Sequence, residues 1–383
     1  MTKNMKLTGV AMVSMVIGFG VCRAALMQAA AGATTVGGVP AFQVDAEWPK
    51  LPNSWIMGDP ASVTVDSHDN VWVIQRPRTL PAEKREHVAP PVLEFDQQGK
   101  FVRAWGGPSD AYDWPDNEHL IYVDYKDRVW IAGNNPSAQV KATPRSDDML
   151  LQFSTDGTFA RQFGHRDSSK GNTDTANLNG PAEMVVYQKT NEMFIADGYG
   201  NQRVIVLDAD TLAFKRMWGA FGNVPTKVTP APARTMEGPG PQQFGTVHSI
   251  KISNDALVYV GDRGNSRIQV FTLEGKYIKQ GFVTRTAKSS STTGGLAFSP
   301  DPQQQFIYSA DQGNGHVHIV NRQTLEEVGY FGEEGKAPGD FHAVHHLATD
   351  SKGNIYTVEV QGGSRVQRFV FKGVKPQSTV ASR

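Results

Sequence analysis

The chain has almost no cysteine. Of its 383 residues only Cys22 is a cysteine, and it lies within an apolar N-terminal stretch. Beyond that stretch no thiol is available to form a disulfide, to act as a nucleophile or to bind a metal. The chemistry of the remaining chain must therefore depend on other side chains.

An excess of charge of either sign is also missing, because 38 Lys and Arg residues balance 38 Asp and Glu residues. Proteins that bind nucleic acids or membrane surfaces usually carry a basic excess or a basic face. The composition therefore argues against both of these as partners. A chain of this length can bury a large core as one big domain or as two ordinary ones.

Long apolar runs are absent except for one near the N-terminus. Lys3 and Lys6 precede the run LTGVAMVSMVIGFGV, and a small-residue Ala-Gly-Ala pattern follows at 31–33. The run is short for a membrane span and typical of the core of a signal peptide. We predict that residues 1–33 are a signal peptide, that the protein is secreted or periplasmic, and that cleavage leaves no membrane span.

Helical periodicity is nearly absent, and a repeated pattern of short alternating strands takes its place. Four segments share this pattern and two degenerate copies precede them; the four are EMFIADGYGNQRVIVLD, LVYVGDRGNSRIQVFT, FIYSADQGNGHVHIVN and NIYTVEVQGGSRVQRFV. Four strands per unit, repeated radially, are typical of a β-propeller blade. We predict an all-β, six-bladed β-propeller over residues 38–373, with a C-terminal tail at 374–383. The sixth unit lacks a fourth strand, so the strand at 40–49 is expected to close it.

The turns that follow the second strand of several units share a composition of Asp, Gly, Asn and Arg or His. They begin at Asp197, Asp262 and Asp311. These turns resemble those of the NHL-repeat family of six-bladed propellers. We interpret the arginines of these turns, such as Arg203 and Arg267, as structural residues.

Histidine recurs at one position of the first strand in alternate units. Alignment of the units on their apolar residues places His119, His248 and His345 at equivalent positions in the second, fourth and sixth blades. The first strand lines the central channel, so the three imidazoles should meet around one axis. Such a set suits zinc best, although other divalent metals also bind imidazole. By strand alternation His346 is expected to point away from the channel, and His342 is expected to lie in the preceding loop.

The loops that join the second strand to the third should lie at the same end of the channel as the histidines, because adjacent strands are antiparallel. These loops carry Arg76, Tyr199 and Arg263. Long loops, including 76–91 and 219–245, are predicted on the same face. Long loops on one face of a rigid scaffold usually carry binding sites.

At these residues the sequence resembles the peptidyl-α-hydroxyglycine α-amidating lyases, six-bladed enzymes that cleave a carbinolamide into an amide and glyoxylate. The similarity is strongest in NGPAEMVVYQKTNEMFIADGYGNQRV and FGTVHSIKISNDALVYVGDRGNSRIQVF. The resemblance implies a zinc-dependent lyase with His119, His248 and His345 as metal ligands, Tyr199 as the catalytic base and Arg76 as a stabilising cation. Tyrosine is a poor base in water, but a nearby metal and arginine favour its phenolate.

One departure from the family concerns calcium. The family has an aspartate directly after the third histidine that helps to hold a structural calcium, and this chain has His346 there. Calcium is therefore uncertain, and zinc or another divalent metal is the expected cofactor. The same histidines would also suit a propeller hydrolase or lactonase whose metal-bound water is the nucleophile, and a non-catalytic NHL scaffold that binds proteins is a third interpretation. The expected substrate is a small molecule or a peptide, and the sequence does not indicate an oligomeric state.

Overall fold

Short strands form nearly all the regular structure in the part of the chain that the structure describes. The structure is a computed structural model, and it describes Met1 and residues 38–136, 145–226 and 234–376. The predicted signal peptide apart from Met1, and the predicted tail from residue 377, lie outside the described residues. Among the described residues no helix is both long enough and apolar enough to cross a bilayer.

The strands form six four-stranded antiparallel sheets, and this confirms the predicted six-bladed propeller. A closing strand β1 spans Val39–Asp45, and the first blade consists of β2 Asp59–Val65, β3 Val71–Arg76, β4 Val92–Phe95 and β5 Phe101–Trp105. The second and third blades consist of β6 Glu118–Val123, β7 Val129–Gly133, β8 Leu150–Phe153, β9 Phe159–Phe163, β10 Pro181–Tyr187, β11 Glu192–Asp197, β12 Arg203–Asp208 and β13 Phe214–Trp218. The fourth and fifth blades consist of β14 Val247–Ile252, β15 Val258–Asp262, β16 Arg267–Phe271, β17 Tyr277–Phe282, β18 Leu296–Phe298, β19 Phe306–Asp311, β20 His316–Asn321 and β21 Glu327–Phe331. The sixth blade consists of β22 Val344–Thr349, β23 Ile355–Glu359 and β24 Arg365–Lys375. The helical segments of the described residues are short 3₁₀ helices at Pro77–Thr79, Ala82–His87, Ala220–Gly222 and Arg263–Asn265.

The N-terminal strand closes the ring as predicted. β1 pairs antiparallel with β24 and completes the sixth sheet, whose order is β1-β24-β23-β22. Phe42 lies opposite Phe371 in this pairing, and its ring also packs against Tyr308 and Phe331 of the fifth blade. The closure covers a sheet edge that would otherwise present unpaired backbone groups.

Apolar side chains on both faces of each sheet pack against the neighbouring blades. One buried cluster joins Leu120 of the second blade to Met184 of the third, and the next joins Phe194 of the third blade to Ile250 of the fourth. Because close-packed interiors resist deformation, these clusters hold the innermost strands in fixed positions. The side chains that face the channel are therefore placed by a rigid scaffold.

The innermost strand carries a β-bulge in five of the blades. In the second blade, for example, Glu118 pairs with Gly133 but Leu120 pairs with Ala132, so His119 is an extra residue. Three of the five extra residues are the histidines that the sequence alignment placed at one position, His119, His248 and His345, and the other two are Ala61 and Ala182. A bulge interrupts the alternation of side chains, so two consecutive residues can face the same side.

The arginines of the NHL-like turns are buried and pin the loops between blades. Arg203 and Arg267 are fully buried, and each forms an ion pair with the turn aspartate, Asp197 at 2.9 Å or Asp262 at 2.8 Å. Their remaining N–H groups donate to backbone carbonyls of the loop that enters the blade. These contacts support the structural role expected from the sequence.

In the fifth blade a histidine is held between two carboxylates. His318 is buried, with Nε2 3.0 Å from Asp311 and Nδ1 3.1 Å from Glu327. Burial alone would lower the pKa of His318, but the hydrogen bonds to Asp311 and Glu327 outweigh it and raise the pKa to about 9. Both ring nitrogens therefore donate to carboxylates, and His318 serves as a cation in the core of the blade.

We expect this pair of contacts to make the stability of the propeller depend on pH. A histidine with a pKa of 6.5 in the unfolded chain and about 9 in the fold stabilises the fold fully below pH 6.5, and the contribution is lost as the pH rises through 9. The free energy of unfolding of the wild type should fall by about 2–3 kcal/mol more over this range than that of His318→Gln. Urea unfolding at the two ends of the range measures this difference, and equal losses in the two proteins would contradict the assignment.

Candidate metal centre

Three histidines from alternate blades meet at the channel. Their ring centres are 5.1 Å apart between His119 and His248, and 4.8 Å from each of these to His345. All three are buried, and one ring nitrogen of each lies within 4.8 Å of those of the others. The structure thus brings together the three residues that sequence register placed at one level.

The three imidazoles are anchored in the same way. In each, Nδ1 lies within hydrogen-bond distance of the backbone carbonyl of the equivalent residue in the next blade. The pairs are His119 with Ala182 at 3.0 Å, His248 with Gly294 at 2.8 Å, and His345 with Ala61 at 2.7 Å. A carbonyl only accepts, so Nδ1 must carry the proton and Nε2 must hold the free lone pair. This arrangement orients an imidazole for metal binding through Nε2.

The surroundings keep these imidazoles uncharged. Burial, together with the neighbouring histidines and arginines, holds the pKa of His119, His248 and His345 well below the ordinary value. A metal binds the neutral ring and competes with protons for it. The three histidines are therefore already in the form that a metal requires.

A fourth histidine joins the group. The prediction that His346 points away from the channel was wrong, because the bulge at His345 breaks the two-residue alternation on which it rested. The ring of His346 is stacked on that of His248 with 4.9 Å between ring centres. It is completely buried, and one of its nitrogens belongs to the same group of possible ligand atoms.

A buried carboxylate lies beside the fourth histidine. Glu183 Oε1 is 3.7 Å from Nδ1 of His346 and 2.5 Å from the ammonium of Lys251. The backbone N–H of Ile250 donates to the other carboxylate oxygen at 2.7 Å. Burial would raise the pKa of Glu183, but Lys251 and His346 outweigh it and hold the pKa below its ordinary value. Glu183 is therefore an anion within the propeller.

The hydroxyl of Tyr199 lies directly against two of the imidazoles. It is 3.0 Å from Nε2 of His119 and 2.9 Å from Nε2 of His248. On both of these nitrogens the lone pair points away from the carbonyl contact and can accept a hydrogen bond from the hydroxyl, as Nε2 of His345 could also do. The hydroxyl also accepts a hydrogen bond from Arg263 at 3.3 Å, and the guanidinium carbon is 5.2 Å from the centre of the tyrosine ring.

Two flanking glycines allow Tyr199 to reach this position. A Cβ on Gly198 would lie 2.0 Å from the carbonyl oxygen of Val247, and a Cβ on Gly200 would lie 2.0 Å from Oδ1 of Asn179. The backbone of Val247 in the fourth blade leaves no room for a side chain at position 198. At position 200 a side chain would require the amide of Asn179, in the loop before β10, to move aside.

Arg76 is the last residue of β3, and its Nε donates a hydrogen bond to the carbonyl of Glu118 at 2.7 Å. That carbonyl directly precedes His119. Burial lowers the pKa of Arg76, an effect that the nearby Tyr199 partly offsets, but a guanidinium remains charged at neutral pH. The arginine is thus held at the edge of the histidine group with a positive charge.

A pocket of about 450 Å³ opens above the histidines. Charged and aromatic side chains in its wall are Arg76, Arg263, Tyr199 and His345. The rest of the described lining consists of small or polar residues, namely Asn134, Ser289, Ser291, Gln312, Gly313, Val360 and Gln361. Because two arginines face this space and no carboxylate is among these residues, the pocket suits an anionic ligand.

The other residues considered in the sequence lie in or near the same pocket. Tyr199 and Arg76, which were predicted with the histidines, share one pocket with His345. Arg263 was expected in a loop on this face but was not included in the predicted site. It contacts Tyr199 of the neighbouring blade, and the sequence pattern does not show which residues of two blades touch. His342 is exposed in the loop before β22, with Nε2 3.1 Å from the carbonyl of Gln361. The double histidine at 345–346 was the signal that could have indicated the fourth imidazole.

Comparison with known proteins finds relatives over most of the chain. NHL repeat-containing protein 3 of Mus musculus is 28% identical over 339 residues, which cover 86% of this chain and 84% of that protein. The Homo sapiens protein of the same name is 25% identical over 335 residues, with the same coverage of 86% and 84%. Peptidyl-glycine alpha-amidating monooxygenase A of Xenopus laevis is 27% identical over 184 residues, which cover 46% of this chain but only 17% of that protein.

One solved structure has a similar fold. A streptogramin B lyase structure superposes with a TM-score of 0.50 at 12% identity and covers 86% of this chain and 98% of that chain. At this identity the likeness shows the fold alone. No known family profile matches the chain. Homologues of this chain are therefore found among the NHL repeat-containing proteins, and its own fold is a six-bladed β-propeller.

Proposed function

We propose that this protein is a secreted, metal-dependent lyase that cleaves the carbon–nitrogen bond of a carbinolamide, such as an N-acyl-α-hydroxyglycine, into an amide and glyoxylate. The observation that carries the proposal is the position of the Tyr199 hydroxyl, within 3.0 Å of two free imidazole nitrogens and beside a guanidinium. Secretion is included because residues 1–33 have the pattern of a signal peptide. The proposed substrate is a small molecule or a peptide, and nucleic acid is not a proposed partner.

The channel histidines fit a divalent metal. His119, His248 and His345 would hold it through Nε2, since Nδ1 of each donates to a carbonyl. Zinc suits three imidazoles with an open position, and other divalent metals also accept imidazole. When bound, such an ion supplies a Lewis acid for an oxygen of the substrate. Calcium prefers oxygen ligands, so the imidazole of His346 does not favour it here.

Tyr199 is the proposed base. As the phenolate it would take the proton of the substrate hydroxyl, and the oxygen electron pair would form the aldehyde carbonyl as the carbon–nitrogen bond breaks. The electron pair of that bond would pass to the amide nitrogen, which would take the proton back from the Tyr199 hydroxyl. Arg263, 3.3 Å from the phenol oxygen, would stabilise negative charge on it during both transfers.

The two arginines also suggest which substrates fit. Arg76 and Arg263 line the pocket without a carboxylate among the described lining residues. A substrate carboxylate, such as that of hydroxyglycine, could form an ion pair with either guanidinium. The name of the Xenopus relative refers to peptidyl-glycine and to amidation, and a C-terminal glycine residue carries such a carboxylate.

The proposal is tested on the purified mature protein. Elemental analysis should find about one zinc or other divalent ion per chain, and the protein should release glyoxylate from N-benzoyl-α-hydroxyglycine. Removal of the ion with a chelator should lower the rate by at least about 100-fold, and zinc should restore it. A protein that holds its metal but releases no glyoxylate from N-acyl-α-hydroxyglycines would refute the lyase, and a protein without metal would favour a binding scaffold.

A further inference from the structure

We propose that His346 is a fourth metal ligand and that Glu183 orients it, so that the channel offers four imidazole nitrogens rather than three. The inference rests on the metal site of the proposed function and adds two residues to it.

The first observation is the arrangement of the four rings. The six distances between ring centres within the group all lie between 4.8 and 5.3 Å. Four points that are nearly equidistant from one another are the corners of a tetrahedron. One nitrogen from each ring also lies within 4.8 Å of the others. Zinc binds well in such tetrahedral surroundings, and with four imidazoles it would take up a substrate oxygen as a fifth ligand, as catalytic zinc sites can.

The second observation concerns the nitrogens of His346. Among the described residues neither Nδ1 nor Nε2 has a hydrogen-bond partner, although the ring is completely buried. A buried polar atom without a partner destabilises the fold, so folded proteins rarely retain one without a reason. A metal bound to Nε2 would satisfy that nitrogen.

The third observation is that Nδ1 of the fourth ring also faces an oxygen atom, although at a longer distance than in the other three rings. Nδ1 of His119, His248 and His345 is held by a carbonyl oxygen of the next blade. Nδ1 of His346 faces a carboxylate oxygen of Glu183 at 3.7 Å. Carboxylates and carbonyls on the far nitrogen are the usual supports of metal-bound histidines. All four rings are thus placed with Nδ1 outward and Nε2 available.

The bulge explains how one strand supplies two ligands. His345 is the extra residue of β22, and His346 resumes the pairing opposite Val358. The bulge therefore turns both side chains into the channel. His345 lines the pocket, while His346, like His119 and His248, is not among its described lining residues.

The test uses zinc and the folded protein, without reference to activity. Three proteins are compared: the wild type, His346→Gln and Glu183→Gln. For each, competition with a chromophoric chelator measures the zinc affinity, and X-ray absorption at the zinc edge counts the imidazole ligands. We expect His346→Gln to bind zinc at least about 100-fold more weakly with one imidazole fewer, and Glu183→Gln to bind about 10- to 100-fold more weakly with the imidazole number unchanged. The matched control is His342→Gln, because His342 is exposed in the loop before β22.

The outcomes separate this inference from the proposed function. If wild type and His346→Gln bind zinc equally well with the same number of imidazoles, His346 is not a ligand while the three-histidine site stands. If the wild type binds no zinc, the proposed metal site fails as well. Circular dichroism of the metal-free proteins checks folding. Should His346→Gln not fold, an unchanged zinc affinity of Glu183→Gln would overturn the inference, and a weakened one would support it.

Discussion

A His248→Ala variant is expected to contain no stoichiometric metal and to release no measurable glyoxylate. The substitution removes one of the Nε2 donors and the hydrogen bond from Nδ1 to Gly294. With one donor lost, the remaining imidazoles should hold the ion far more weakly, and activity should fall by at least about 10⁴-fold. Elemental analysis and a glyoxylate assay, performed on variant and wild type purified in parallel, measure both effects.

His342→Ala is the control for this experiment. His342 is exposed, and its Nε2 lies near the carbonyl of Gln361 rather than near the channel histidines. It should keep its metal and nearly all of its activity. A His248→Ala protein that retains one metal per chain and normal turnover would show that the channel imidazoles are not the site.

A Tyr199→Phe variant is expected to keep its metal and to lose kcat by about 10²–10⁴-fold, the range usual for the loss of a general base. The ring would still pack beneath Arg263, whose guanidinium carbon is 5.2 Å from its centre. Only the hydroxyl beside His119 and His248 would be removed. Metal content, kcat and KM for N-benzoyl-α-hydroxyglycine measure the effect, with KM expected to change little.

This variant also discriminates between the lyase and a hydrolase. A hydrolase whose metal-bound water is the nucleophile has no need of a phenolate, so Tyr199→Phe would leave its turnover nearly intact. Tyr125→Phe serves as control, because Tyr125 lies in the turn after β6 and its hydroxyl donates to Asn191 in the turn before β11. Undiminished glyoxylate release by Tyr199→Phe would remove Tyr199 from the mechanism.

The sequence predicted the architecture because propeller blades are local and repeated. Each strand alternates, each turn is polar, and the same pattern recurs often enough to be counted. The closing role of the N-terminal strand also followed from the sequence, since the sixth unit was one strand short and an open edge is unfavourable. β1 pairs with β24 along Val39–Asp45, as that argument requires.

The register of the histidines could also be read from the sequence. His119, His248 and His345 fall at one position of the repeat, and that position is the bulge of the innermost strand. Equivalent positions of a symmetric ring lie at one level, so equal register was enough to bring the three side chains together.

What the sequence determined by itself was therefore the number of blades, the closure of the ring and the level of three histidines, because each depends on a local pattern repeated along the chain. Tertiary structure alone decided the rest. A bulge reverses the direction of every side chain beyond it, so strand alternation failed at His346. The contacts of Arg263 with Tyr199 and of Glu183 with His346 join different blades. Such pairs depend on distances across the channel, which exist only once the blades have packed into a ring.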